Sequence, residues 1–127
     1  MILCDTNVMI EYLKSDPRTV ARVNKIGFPN IALSSITMME LSVGALNKNE
    51  LRKIQKSLRP LPLLHIDNEI SETALQLIEK YSKSHNLQIP DALIAATAIA
   101  NNFKLLTYNL KDFQYIEGLQ LEAVNKG

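Results

Sequence analysis

The sequence predicts an α/β fold: one domain, residues 1–127, with a central parallel sheet of about four to five strands and helices on both faces. Three observations predict it. Short apolar runs alternate with longer stretches of helical periodicity, as a parallel sheet with crossover helices requires. The first run, Met1-Ile2-Leu3-Cys4, is apolar at consecutive rather than alternate positions, which suits a strand buried on both faces. The 127 residues suffice for one substantial core and are too few for two.

Composition narrows the class. Apolar residues make up 46% and charged residues 21%, a globular balance that excludes disorder. The net charge of +1 offers no bulk attraction for nucleic acid, so such a partner would have to meet a local patch. Cys4 is the single cysteine; no intramolecular disulfide can form, and a reducing compartment is expected. No apolar stretch approaches the ~18 residues of a membrane span. No charged-then-apolar leader precedes the first strand, so a cytoplasmic protein is expected.

In order, Thr6 or Asn7 can cap a helix from about Val8 to Lys14. Asp16-Pro17 restarts a helix with Val20, Val23 and Ile26 inward and Gly27 as its stop. Ile31-Ala32-Leu33-Ser34 reads as the second strand, followed by a helix from about Thr37 to Leu46. Another helix carries Leu51, Ile54 and Leu58 and ends at Pro60 and Pro62. Leu63 to Ile66 is the third strand. Asp67-Asn68 opens a long helix with Ile70, Ala74, Leu77, Ile78 and Tyr81 on one face. Pro90-Asp91 begins a helix through Ala100 that is apolar nearly all round, hence the most buried. Lys104 to Thr107 is the fourth strand, and Leu119 to Val124 a fifth at the edge. There is no internal repeat or linker.

Chemistry collects at the strand ends. Asp5 follows the first strand, Glu40 lies early in the helix after the second, Asp91 opens the buried helix, and Asn109 and Asp112 follow the fourth. Ligands of open parallel sheets bind at that edge. Carboxylates brought together repel unless protonated or bridged by a cation. Oxygen ligands without paired cysteines or usefully spaced histidines favour Mg²⁺ or Mn²⁺ over zinc. Such ions take their remaining ligands from phosphates and lower the pKa of an attacking water, so phosphodiester hydrolysis is the expected reaction. Each residue also has an ordinary structural role open to it. Asp5 can cap the helix near Val8, Thr37-x-x-Glu40 fits a capping box, Asp91 can cap its helix, and Asn109 and Asp112 can be turn and surface residues.

Four blocks carry a resemblance. Leu3-Cys4-Asp5-Thr6-Asn7-Val8-Met9-Ile10, Ser35-Ile36-Thr37-Met38-Met39-Glu40-Leu41, Pro90-Asp91-Ala92-Leu93-Ile94-Ala95-Ala96 and Leu106-Thr107-Tyr108-Asn109-Leu110-Lys111-Asp112-Phe113 span nearly the whole chain. In order and spacing the chain resembles PIN-domain proteins, specifically the small toxins of VapC-type toxin–antitoxin modules. The resemblance implies a Mg²⁺- or Mn²⁺-dependent ribonuclease, commonly a homodimer, inhibited by a small antitoxin whose tail enters the active-site groove. It implies Asp5, Glu40 and Asp91 as metal-binding acids, with Asn7 and Thr107 as polar neighbours. Many relatives carry an acid where Asn109 stands; here the nearest carboxylate that can substitute is Asp112.

Substrate contacts are less legible. Arg52, Lys53, Lys56 and Arg59 share one helix, as a phosphate-binding stripe or as a solvated face. Tyr12, Tyr81, Tyr108 and Tyr115 are too scattered in sequence to define a stacking platform, and His65 and His85 are read as bystanders. A haloacid-dehalogenase-like phosphatase would need a second Asp where Asn7 stands, and a receiver domain an acid cluster at the first strand. The alternative from another class is a catalytically silent PIN-fold module that holds RNA or protein.

Overall fold

A computed structural model describes residues 1–122. β1 (Ile2–Cys4), β2 (Ile31–Ser34), β3 (Leu63–Leu64) and β4 (Lys104–Leu106) form one parallel sheet in the spatial order β3-β2-β1-β4. Ile2 pairs with Ile31 and Lys104, Leu3 with Ala32 and Leu105, and Cys4 with Leu106. The chain runs outward from β1 to β3 and then returns to the far side of β1. The crevice at the carboxyl ends of β1 and β4 is therefore the point where strand order reverses, the usual ligand site of such sheets.

Six helices cover the two faces: α1 (Thr6–Leu13), α2 (Pro17–Ile26), α3 (Ser35–Gly44), α4 (Lys48–Leu58), α5 (Asn68–His85) and α6 (Ile89–Asn101). Successive strand residues point to opposite faces. Leu3, Ala32 and Leu105 pack with Ile70, Ala74 and Leu77 of α5 and Ala92, Ile94 and Ala95 of α6. Cys4, Ile31, Leu33 and Leu106 pack with Val8 and Met9 of α1, Val23 of α2, and Ile54 and Leu58 of α4. Both faces are thus dry, which explains the uninterrupted apolar runs. No helix among the described residues is long and apolar enough to cross a membrane.

The expected caps hold for α2, where Asp16 accepts from Thr19 N at 3.1 Å and Gly27 stops the helix at φ +86°, and for α5, where Asp67 accepts from Ile70 N at 2.8 Å. Several boundaries differ from expectation. α1 begins at Thr6 rather than near Val8, because Asp5, not Thr6 or Asn7, is its N-cap. α3 begins at Ser35 because Ser34, not a later residue, is its N-cap, accepting from Ile36 N at 3.1 Å. β3 pairs only over Leu63–Leu64, since the chain turns away towards the Asp67 cap and leaves His65 and Ile66 exposed. Among the described residues the expected fifth strand shows as a parallel bridge between Leu121 and Leu105, with Leu105 N donating to Gln120 O at 2.9 Å and Glu122 N to Leu105 O at 2.8 Å. Ala123 and Val124 of that expected strand lie outside the described residues.

Candidate active site

β1 delivers Asp5 to the crevice. Its backbone N–H donates to Leu106 O at 2.9 Å, extending the ladder to β4 one residue past the strand. The side chain is 5% exposed. Oδ1 accepts from Thr6 N at 2.8 Å, capping α1, and Oδ2 accepts from the Thr107 hydroxyl at 2.8 Å. The capping role and the site role thus belong to different oxygens of one carboxylate. Thr107 is fully buried, and its Oγ1 in turn accepts from Asn109 N at 3.0 Å, which fixes the loop after β4 relative to Asp5. Burial pushes the Asp5 carboxyl above its ordinary range; the Thr107 and Thr6 bonds oppose this, and the charges of Glu40 and Asp112 add to it.

Glu40 arrives from the second turn of α3. With Ser34 as N-cap, the capping-box position falls on Thr37, so Glu40 does not serve the helix start. Instead its Oε1 accepts from the Thr6 hydroxyl at 2.7 Å, and Thr6 Oγ1 lies 3.1 Å from that of buried Thr37. Thr6 and Thr37 were not singled out from sequence as site residues. Thr6 beside Asp5 was the available signal, but its contact to Glu40 spans 34 residues.

Asp91 lies in the first turn of α6, half-buried. Gln88 occupies the N-cap, so Asp91 is not the cap that its Pro90-Asp91 context also allowed. Its carboxyl is pushed up to about 6, chiefly by burial and then by the charges of Asp5, Asp112 and Glu40. Asp112 closes the 3-10 turn Leu110–Asp112, which Asn109 opens, and both are exposed. Asn7 Oδ1 accepts from Tyr108 N at a long 3.4 Å, while among the described residues its buried Nδ2 has no hydrogen-bond partner.

The four acids at the crevice, Asp5, Glu40, Asp91 and Asp112, therefore feel one another's charge. Among the described residues, no three His, Cys, Asp or Glu side chains converge closely enough to grip one ion directly. The donors fit a hard divalent cation that keeps much of its water shell better than one held by protein alone. The cations of α4 take no part in the crevice as a group: Arg52, Lys53, Lys56 and Arg59 are all exposed, opposite buried Ile54 and Leu58, as on a solvated face. Lys53 alone of them lines a groove of about 490 Å³ that runs from Glu40 between α1, α3 and α4, with Ile10, Leu13, Leu41 and Ile54.

The model of the PIN domain family matches residues 2–119. The chain belongs to the PIN domain family. Among curated PIN proteins, it is 35% identical to toxin FitB of Neisseria gonorrhoeae, over 89% of this chain and 91% of that protein. It is 31% identical to ribonuclease VapC1 of Haemophilus influenzae, over 98% of each. Among solved structures, a toxin–antitoxin complex from Klebsiella pneumoniae superposes with a TM-score of 0.81 at 30% identity, over 94% of this chain and 95% of that one. The architecture expected from sequence, a parallel sheet with helices on both faces, is that of this PIN fold.

Proposed function

We propose that this PIN domain is a metal-dependent endoribonuclease, the toxin of a toxin–antitoxin pair, with Asp5, Glu40, Asp91 and Asp112 as its metal-binding acids. The observation that carries the proposal is the gathering of these four carboxylates at the sheet's reversal point, where burial and mutual repulsion hold Asp5 and Asp91 above their ordinary pKa. Charges so placed weaken the fold unless something compensates them. Relatives named as a ribonuclease and as a toxin support the same conclusion.

Mg²⁺ or Mn²⁺, when bound, supplies positive charge to the phosphodiester and acidifies an attacking water. The chain's own residues do the rest. Thr107 and the α1 N-terminus fix both oxygens of Asp5, and Thr6 fixes Glu40. Asp91, with its carboxyl pushed up to about 6, keeps its proton to a higher pH than an ordinary carboxyl, and below that pH a cation would displace the proton. Asp112, exposed at the rim, acts through water, with Asn109 opening the same 3-10 turn. Asn7 Nδ2 is a donor for a phosphate oxygen or an ordered water.

The partner surface of the toxin lies beside Glu40. Met39 and Val43, chain neighbours of the groove residues Glu40 and Gly44, and Leu46 just beyond α3 are 57%, 86% and 85% exposed, the kind of surface a small antitoxin would cover. A homodimer is part of the same proposal. The second reading, a PIN module that binds RNA or protein without cutting, draws on Asn109 and on the open spacing of the acids.

The test is incubation of antitoxin-free protein with a mixed tRNA, rRNA and mRNA pool in Mg²⁺, Mn²⁺ or EDTA, beside Asp91→Asn. Discrete fragments that require the cation and vanish in Asp91→Asn are expected. A folded, cation-binding chain that cuts none of these RNAs would favour the silent module.

A further inference from the structure

Three aromatic side chains that are remote in sequence meet where α5 ends. His85 stacks on Tyr115, ring centroids 4.1 Å apart and planes 11° from parallel. Tyr81 meets both edge-on, 5.7 Å from His85 and 5.1 Å from Tyr115. Tyr81 is buried, and its hydroxyl accepts from Glu117 N at 3.2 Å; the His85 ring is tied through Nδ1 to the Ser84 hydroxyl at 2.8 Å. Tyr81 and His85 are therefore both oriented before any ligand arrives, yet His85 remains exposed. The scattered tyrosines and the bystander His85 of the sequence form, in part, one platform.

The platform adjoins the acids. After His85, residues 86–88 lead directly into α6 and Asp91; Tyr115 lies three residues beyond Asp112, with buried Phe113 anchoring the segment between. Burial, then the charges of Asp112 and Asp91, raise the Tyr115 hydroxyl above its ordinary pKa, as expected for a phenol close to both carboxylates.

We propose that the His85–Tyr115 stack is a nucleobase seat: an unpaired base of single-stranded RNA lies on the open face of His85 while a neighbouring phosphodiester reaches the acids. The inference rests on the ribonuclease proposal and adds the residues that seat one base of its substrate. A base within a duplex is already stacked on its neighbours, whereas an unpaired base offers a π-face to an aromatic ring whatever its identity. The rings are spaced as stacked bases are, so the seated base continues a stack the protein has already built. Lys80 is engaged with Glu117 at 3.1 Å; Lys83, two residues before His85, and Lys111, next to Asp112, are exposed cations available to the backbone.

The test uses the full chain carrying Asp91→Asn, so that RNA is not consumed, and short fluorescent single-stranded RNAs read by anisotropy in Mg²⁺. His85→Ala should weaken binding roughly 5- to 100-fold, the range for one base on one aromatic ring. His85→Phe should restore it. In a set of RNAs each lacking one base, a single abasic position should cost as much as His85→Ala, and the two losses should not add. Unchanged affinity in His85→Ala would overturn the seat, and so would a loss equal on every abasic RNA, the mark of a charge contact to phosphate. Cleavage by the unmutated chain is run in parallel. If it cuts RNA while His85→Ala binds normally, only the seat is wrong; if it neither binds nor cuts RNA, the ribonuclease proposal falls and the seat with it.

Discussion

Asp5 and Glu40 are tied into the fold by hydroxyl and amide donors, whereas the carboxylates of Asp91 and Asp112 accept no hydrogen bond among the described residues. The first pair is aimed by Thr6 and Thr107; the second is carried only by the backbone that bears it. One half of the proposed site is therefore oriented by the fold alone, and on the proposed function the other half would take its orientation from a bound cation. The difference teaches that a site can divide its labour: fixed acids define where an ion sits, and free ones adapt to substrate and water.

The most severe way to break this comparison is to remove charge from each half. Asp5→Asn and Asp91→Asn should each lower RNA cleavage by roughly 10²–10³-fold or more, the scale of losing a group that stabilises transition-state charge. Stability separates them: Asp5→Ala should cost about 0.5–2 kcal/mol through the lost α1 cap, read by denaturant melts, while Asp91→Ala should cost none. Equal destabilisation would erase the contrast. Next, Thr107→Val should reduce cleavage about 10- to 100-fold, with a matching loss of Mg²⁺ or Mn²⁺ affinity by titration, because it frees Asp5 Oδ2. Thr6→Val should have a smaller effect, of order 10-fold, seen as a higher cation concentration for half-maximal rate.

The mildest effect concerns protons. With its folded pKa near 6 and an ordinary value of 3.8, Asp91 binds a proton more tightly in the folded chain. Metal-free wild type should therefore lose stability relative to Asp91→Asn as pH rises from about 4 through about 6, and lose no more above that. A divalent cation binds the ionised form, so its addition should flatten this difference. Melting temperatures of both proteins across that range, with and without Mg²⁺, decide it.

Much of this was legible in the chain, for local reasons. The doubly buried β1, the Asp67 and Asp16 caps and the wholly apolar α6 follow from residue order alone. Asp5 and Asp91 were legible because each adjoins such an element. Glu40 was ambiguous because Ser34, Ser35 and Thr37 are all competent N-caps, and only the start at Ser34 strips Glu40 of a capping role. What sequence could not supply were contacts set by topology: Thr6 to Glu40, the hydroxyl pair Thr19 and Tyr108 at 2.5 Å, and the meeting of Tyr81, His85 and Tyr115. These depend on which strand lies beside which, and a single sequence carries no trace of that pairing.

The hydrogen bond from Thr107 to Asp5 joins residues 102 positions apart, across the β1–β4 ladder. In a nascent chain β1 emerges well before β4, and the sheet cannot close, or Asp5 be set against Thr107, until β4 has left the exit tunnel. Closing so distant a pairing is also among the slower steps of folding. The Asp5 side of the crevice therefore stays unassembled until the whole sheet from β1 to β4 is in place.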